Sequence, residues 1–123
     1  MIVLDSSAVI ELIAGEEKGK RIKDILENDT AAVSSITINE VCCGAWEKQV
    51  EILYEFFKSV HVLPFDSDAA FTSIMLEKEL YKKGRPLGKL DIFIASLCLL
   101  HQLPLLTLDK GFSRVDGLRV VFV

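Results

Sequence analysis

The first fifteen residues, MIVLDSSAVIELIAG (residues 1–15), decide the fold class because they combine a strand, a turn and a helix in one short stretch. The apolar run Ile2–Leu4 predicts a strand that ends at Asp5. We expect Ser6 and Ser7 to cap the helix that follows, in which apolar residues recur at helical spacing. A strand made only of apolar residues is typical of a parallel sheet that is buried on both faces.

The same alternation continues to the end of the chain. Further strands are predicted at Ala31–Ser34, 61–65, 104–108 and 119–123. Helices are predicted at 16–28, 36–46, 50–57, 66–83 and 90–100, and the last of these is apolar on nearly every face. This order predicts an α/β fold with a mostly parallel central sheet of four to five strands and helices on both faces. We expect residues 1–123 to form a single domain.

Composition limits the compartment and the mode of binding. Neither a signal peptide nor a membrane-spanning segment is expected, because Asp5 interrupts the first apolar stretch and the most apolar run, 97–108, is too short to span. The three cysteines have no zinc-site or disulfide-framework spacing, so we expect the cytoplasm. A formal net charge of −4 argues against holding nucleic acid through a broad positive field. A nucleic-acid role would need local basic patches or bound cations.

Four acidic residues are placed to meet at one edge of the predicted sheet. Asp5 and Asp109 each follow a strand, and open parallel sheets bind ligands beyond the carboxyl ends of their strands. Glu40 lies one turn into the helix after the second strand, and Asp91 heads the buried helix before the fourth. Gathering these carboxylates would cost on the order of several kcal/mol through repulsion and desolvation. A divalent cation would offset that cost.

The ligand type indicates which cation. Oxygen ligands without His or Cys suit a hard ion such as Mg²⁺ or Mn²⁺. Such ions activate water and stabilise a leaving oxygen in phosphodiester hydrolysis, either singly or as a pair roughly 3.5 to 4 Å apart. The residues predict a metal-dependent phosphodiesterase site and leave open whether it holds one ion or two.

Each acid also has a purely structural interpretation. Asp5 and Asp109 can both be turn residues. Thr37 and Glu40 have the T-x-x-E spacing of a helix capping box. Asp91 is harder to explain in this way because it heads an apolar stripe of its helix. The helix N-terminus offers a charge there only about 0.3 to 1 kcal/mol, which is less than its burial demands.

Four segments form a pattern that spans essentially the whole chain: VLDSSAVI (3–10), TINEVCCG (37–44), GKLDIFIAS (88–96) and TLDKGF (107–112). In this order and spacing they resemble the PIN domain of VapC-type toxins. Cys42 and Cys43 depart from the family pattern, which more often has aliphatic or small residues there. That departure concerns helix packing and leaves the acidic residues untouched.

The resemblance implies a function. It implies that the metal-site acids are Asp5, Glu40, Asp91 and Asp109, with Ser6 and Thr107 as auxiliary hydroxyls. It further implies a Mg²⁺-dependent endoribonuclease that cuts structured RNA such as tRNA or rRNA. A homodimer, and inhibition by a small antitoxin encoded alongside it, are implied as well. On this basis the protein is expected to be the toxin of a type II toxin–antitoxin pair.

A basic cluster precedes Asp91 and has two interpretations. Lys82, Lys83, Arg85 and Lys89 could hold RNA phosphates beside the metal site. The same residues could instead be the solvated end of a helix, where cations are favoured by the helix dipole. The sequence does not separate these two interpretations.

Two other function classes are compatible with parts of the pattern. A phospho-receiver signalling domain has similar length and an acidic site at the same sheet edge, and Asp66 would be its phosphoacceptor. Such a domain would need a pair of acidic residues after the first strand, whereas Asp5 is followed by serines. The other alternative is a catalytically silent PIN-like module that only binds RNA or protein.

Overall fold

Five parallel strands form one sheet in the order β3-β2-β1-β4-β5. The structure is a computed structural model that describes residues 1–123. The strands are β1 (Ile2–Leu4), β2 (Ala31–Ser34), β3 (His61–Leu63), β4 (Leu105–Thr107) and β5 (Val120–Phe122). At the centre of the sheet, Leu4 lies opposite Val33 of β2 on one side and Leu106 of β4 on the other. The residues that follow β1 and β4 therefore leave the sheet side by side.

Six α-helices surround the sheet. They are α1 (Ser6–Ala14), α2 (Glu17–Leu26), α3 (Ser35–Cys43), α4 (Glu47–Ser59), α5 (Ser67–Lys82) and α6 (Lys89–His101), and a 3₁₀ helix spans Lys110–Arg114. The predicted α/β class, with a mostly parallel sheet of up to five strands, is confirmed. None of the helices combines the length and the apolar character that a membrane crossing requires.

The strands are apolar throughout because both faces of the sheet are covered. Val3 points into a core built mainly with α5 and α6, which includes Leu76, Ile94 and Phe112. Its neighbours Ile2 and Leu4 point the other way, into a core that α1, α2, α3 and α4 complete. Successive side chains of a strand alternate between faces, so an uninterrupted apolar strand supplies both cores.

Two helix starts differ from the sequence predictions. The capping-box interpretation of Thr37 and Glu40 is wrong. Helix α3 begins at Ser35 and its N-cap is Ser34, whose hydroxyl accepts the Ile36 N–H at 2.8 Å. Ser6 and Ser7 are likewise not caps. They are the first two residues of α1, and the N-cap is the residue before them.

The sheet order bears on the receiver alternative. Asp66, its expected phosphoacceptor, follows the edge strand β3, which β2 separates from β1. The Asp66 carboxylate also has a structural partner, because it caps α5 by accepting the Ala69 N–H at 3.0 Å. Asp66 and Asp5 therefore do not share one site in the way that a receiver would require.

Candidate active site

Asp5 has the most tightly held side chain of the four acids. It ends β1 at the centre of the sheet, caps α1, and is only 3% exposed. Its Oδ1 accepts the Ala8 N–H at 3.0 Å and the Ser7 hydroxyl at 2.6 Å. Its Oδ2 accepts the hydroxyl of Thr107. Three donors from two neighbouring strand ends thus hold one buried carboxylate in a single orientation.

The same network continues to the fourth acid. Thr107 is fully buried at the end of β4, and its Oγ1 accepts the Asp109 N–H at 2.9 Å. Ser7 accepts the Leu108 N–H at 3.1 Å. These bonds tie the loop after β4 to the start of α1. Asp5 and Asp109 are therefore positioned relative to each other by the pairing of β1 with β4.

The hydroxyl beside Asp5 belongs to Ser7 and not to Ser6, the residue that the sequence analysis selected. Because Asp5 is the N-cap, the residue two positions later turns back toward its carboxylate. Ser6 is the first helical residue, and no side-chain hydrogen bond to Asp5 involves it. Thr107, the other predicted auxiliary residue, is in direct contact with Asp5.

Glu40 lies on α3, and part of its carboxylate is buried without a partner. Its Oε1 is inaccessible to solvent and has no hydrogen bond. Burial, followed by repulsion from Asp91 and Asp5, raises the pKa of Glu40. A buried oxygen without a donor is uncommon in folded proteins because its lost hydration is not replaced. The failed capping-box prediction removes the structural explanation for this residue and leaves Glu40 facing the other acids.

Asp91 lies in the first turn of α6 and is half-buried. Burial, followed by repulsion from Asp109 and Asp5, raises the pKa of Asp91. The repulsion means that these carboxylates lie within electrostatic range of one another. The four predicted acids, brought from α3, α6 and the ends of β1 and β4, therefore form one negatively charged group at the carboxyl edge of the sheet.

Asp109 is the most exposed of the four. Its Oδ1 accepts the Gly111 N–H at 2.8 Å and caps the 3₁₀ helix, as the predicted turn would require. The turn interpretation and the site interpretation are thus both compatible with this residue. Its second oxygen is left for other contacts.

The donor set fits a hard divalent cation. It consists of carboxylate and hydroxyl oxygens and includes the orphaned Glu40 Oε1. Burial, and then the charges of neighbouring acids, raise the pKa values of Glu40 and Asp91. The side chains do not stand as a ready-made cluster, since no group of three His, Cys, Asp or Glu residues is placed to hold an ion. Asp5 is fixed by its hydrogen bonds, so the side chains of Asp91 and Asp109 would have to turn toward it.

The basic residues before Asp91 are engaged at the surface. Lys89 pairs with Glu77 at 2.7 Å, and Lys83 pairs with Glu79 at 2.7 Å. Lys83 and Arg85 both contact Asp116. Lys82 is exposed and forms none of these ion pairs. Exposed pairs of this kind contribute about 0 to 1 kcal/mol, so a phosphate could compete for these cations.

Sequence reasoning missed Ser7 and Thr37. Ser7 could have been found by taking Asp5 as the N-cap. Thr37 is fully buried one turn before Glu40, and its hydroxyl has no partner. Its only sequence signal was a spacing that a capping box explained equally well.

The chain is similar to known proteins over almost its whole length. The family model for the PIN domain matches residues 2–118. The chain is 29% identical over 123 residues to the tRNA(fMet)-specific endonuclease VapC of Shigella flexneri, and the match covers 95% of this chain and 93% of that protein.

Solved structures give the same result. The crystal structure of DNA-bound VapBC from Salmonella typhimurium superposes with a TM-score of 0.86 at 27% identity, covering 98% of each chain. A toxin–antitoxin complex from Klebsiella pneumoniae superposes with a TM-score of 0.80 at 27% identity, covering 98% of this chain and 96% of that chain. The likeness extends over almost the whole length of the chain.

Proposed function

This chain belongs to the PIN domain family, and from that premise we propose that it is a Mg²⁺-dependent endoribonuclease. The reaction is hydrolysis of RNA phosphodiester bonds, and Mn²⁺ can take the place of Mg²⁺. The active-site acids are Asp5, Glu40, Asp91 and Asp109.

One observation carries the proposal. Glu40 Oε1 is buried without a hydrogen-bond donor, and burial together with the charges of Asp91 and Asp5 raises the pKa of the same carboxyl group. A fold gains no stability from such an arrangement, which costs about 1 to 3 kcal/mol for the unsatisfied group alone. Acids with raised pKa values at one sheet edge, such as Glu40 and Asp91, are characteristic of functional sites.

The four acids have different roles because their surroundings differ. Asp5 cannot turn and provides the rigid ligand, since three donors fix it. Asp91 and Asp109 are less constrained and complete the ligand set. Glu40 has a raised pKa and a free oxygen, so it is suited to accept a proton from the attacking water. The chemistry that Mg²⁺ supplies when bound is a lowered pKa for that water and charge stabilisation at the phosphate.

Structured RNA, of the tRNA or rRNA class, is the proposed substrate. The name of the Shigella flexneri relative as a tRNA(fMet)-specific endonuclease supports this choice. Lys82 and the paired cations near Asp91 are the groups placed to contact the RNA backbone. Such contacts position a substrate without reading its sequence.

The cellular role that we propose is that of the toxin in a type II toxin–antitoxin pair. The likeness to the Klebsiella pneumoniae toxin–antitoxin complex supports an antitoxin protein as the partner. The three cysteines are free, which fits a protein that works in the reducing cytoplasm.

A homodimer is proposed from the exposed face of α5. Phe71, Ile74 and Met75 are all exposed there, at helical spacing. Asp68 lies toward the start of the same face and Lys78 toward its end, and both are exposed. If two copies of α5 cross antiparallel, Phe71 of one meets Met75 of the other and Asp68 meets Lys78. The face is thus complementary to itself, as a two-fold interface requires.

RNA cleavage tests the nuclease. We expect the purified protein to cut end-labelled tRNA in Mg²⁺ or Mn²⁺ and to stop when EDTA is added. Asp91→Asn and Glu40→Gln should each lower the rate by about 100-fold or more. The matched control is Asp24→Asn, which removes an exposed carboxylate of α2, a helix that carries none of the four acids, and should cut normally. Equal cutting by Asp91→Asn would point to a contaminating nuclease and contradict the proposal.

Thermal unfolding tests the metal separately from turnover. Added Mg²⁺ should raise the Tm of the wild type, because an ion that binds only the folded state stabilises it by about 2.7 kcal/mol at 100 times its Kd. The increase should be much smaller in Asp91→Asn. A metal-dependent increase without cleavage of any structured RNA would favour the catalytically silent module.

A further inference from the structure

A cavity of about 310 Å³ lies between α5, the loop that follows it and the start of α6. We propose that this cavity, called the Tyr81 cavity below, binds one unstacked base of the RNA substrate beside the cleaved bond. The inference rests on the proposed ribonuclease function and adds a subsite to it. The volume is at the lower end for small-molecule sites, which suits a single base more than an extended ligand.

The floor of the Tyr81 cavity is apolar. Leu80, Leu87 and Ile92 line it, and both Leu80 and Ile92 are almost completely buried. They come from α5, the loop and α6, so the floor is part of the core between these two helices. An apolar floor on rigid elements favours a flat, weakly hydrated group over a phosphate or a sugar.

The rim carries one exposed aromatic ring. Tyr81 is 86% exposed, and it forms no aromatic pair. Arg85 lies on the same rim, held at one end by Asp116. Single-stranded RNA is commonly bound by stacking its bases on aromatic rings and on guanidinium planes. Tyr81 and Arg85 are these two kinds of group.

The rim also has groups for the edge of a base. Glu77 accepts hydrogen bonds from Lys89 at 2.7 and 2.9 Å. Its carboxylate retains further acceptor capacity, and Arg85 supplies donors. A base with an exocyclic amino group can donate a hydrogen bond to Glu77 and accept one from Arg85.

The cavity adjoins the acidic site. Ile92 follows Asp91 directly in α6, so one residue faces the cavity and its neighbour faces the acids. On the other side, a Cβ atom placed on Gly111 would lie 3.5 Å from Leu87 Cδ1 and 3.0 Å from Asp109 Oδ1. Leu87, which lines the cavity, and the Asp109 carboxylate therefore both lie beside Gly111. A base in the cavity would have its own phosphate near the acids.

The test uses steady-state cleavage of RNA by the full-length protein. Tyr81→Ala should raise KM about 5- to 150-fold, the equivalent of the 1 to 3 kcal/mol lost when one stacked base loses its aromatic partner. Its kcat should stay within about twofold, because stacking remote from the reacting atoms contributes uniform binding. Tyr81→Phe keeps the ring and should behave as the wild type. Tyr54→Ala, at an exposed tyrosine of α4, is the matched control and should also be unaffected.

Direct binding separates a failure of this inference from a failure of the nuclease proposal. The Asp91→Asn protein should quench the fluorescence of 2-aminopurine in a single-stranded oligonucleotide. The double variant that also carries Tyr81→Ala should not quench it. If the wild type cuts no RNA but this quenching is found, the base subsite stands and the nuclease proposal fails.

Three results would overturn the inference. The first is an unchanged KM in Tyr81→Ala in an enzyme that cleaves RNA. The second is a lower kcat with unchanged KM, which would mean that Tyr81 does not bind a base. The third is a Tyr81→Ala protein that binds RNA normally but no longer binds the antitoxin, which would assign the cavity to a protein partner.

Discussion

Thr107 donates its hydroxyl hydrogen to Asp5 Oδ2 at 2.5 Å, across the junction of the neighbouring strands β4 and β1. Both residues are buried, and they lie 102 positions apart in the chain. The bond therefore depends on the parallel pairing of Leu4 with Leu106. It couples the orientation of the central carboxylate to the integrity of the sheet.

Replacing this hydroxyl should cost stability as well as activity. Thr107→Val keeps the shape of the side chain but leaves Asp5 Oδ2 and the Asp109 N–H without their partner. We expect a loss of about 1 to 3 kcal/mol in the free energy of unfolding, measured by urea denaturation. Thr107→Ser restores the donor and should recover most of that loss.

Thr72→Val is the matched control for this substitution. Its hydroxyl donates only to the Asp68 carbonyl oxygen at an exposed position of α5. The change in its free energy of unfolding should stay within about 0.5 kcal/mol. A Thr107→Val protein as stable as this control would contradict the structural role assigned to the bond.

The raised pKa values of Asp91 and Glu40 predict how stability depends on pH. The folded state binds protons on these groups more readily than the unfolded state, so their contribution favours folding below the unfolded pKa values. That contribution is lost as the pH rises through the folded pKa values. At neutral pH both charged acids destabilise the protein.

Neutral variants should therefore be more stable where the acids are ionised. With EDTA present, Asp91→Asn should raise the free energy of unfolding by about 0.5 to 2 kcal/mol at pH ~7.5, the range typical of stabilising single substitutions. The gain should shrink at pH ~3.5, below the pKa of an unfolded aspartate, because the wild-type carboxyl takes up its proton more readily in the folded state. Denaturation of the wild type and Asp91→Asn at the two pH values measures this gain in the free energy of unfolding. A gain that does not depend on pH would mean that charge repulsion is not its cause.

Charge reversal on α5 tests the proposed homodimer. Asp68→Lys places like charges opposite each other and should shift the protein toward monomer, because like-charge juxtaposition at an interface costs several kcal/mol. Adding Lys78→Asp restores opposite charges and should restore the dimer. Light scattering after size-exclusion chromatography measures the mass.

Ile52→Lys on α4 is the control for a general effect of added charge. Ile52 is as exposed as the α5 residues but lies outside their face. The substitution Ile52→Lys should leave the measured mass of the protein unchanged. Monomer in both the wild type and Asp68→Lys would remove the basis for this interface.

The sequence predicted the fold well because its signals are local. The run Ile2–Leu4 and the helix signals after it depend on residues that are neighbours in the chain. Asp5 and Asp109 could be placed at one edge for the same reason, since each directly follows a strand region. The position of Asp66 away from the site depends on strand order, which the pattern of elements leaves open.

The details of the site depend on contacts between distant segments. The partner of Asp5 across the sheet is fixed by β1–β4 pairing. The isolation of Glu40 Oε1 follows from helix packing, while its T-x-x-E spacing indicated a cap. Local rules failed at residues of the proposed active site, where long-range packing decides the partners.

Ser7 gives the sharpest test of this difference between local and long-range signals. Its hydroxyl donates to Asp5 at 2.6 Å and accepts the Leu108 N–H at 3.1 Å, whereas Ser6 makes neither contact. Ser7→Ala should therefore lower kcat for RNA cleavage by about tenfold, because a shift in a positioned ligand is costly to rate. Ser6→Ala should stay within about twofold of the wild type. The reverse order, with Ser6→Ala the more damaged enzyme, would mean that the family resemblance identified the auxiliary hydroxyl better than the hydrogen bonds of Asp5 do.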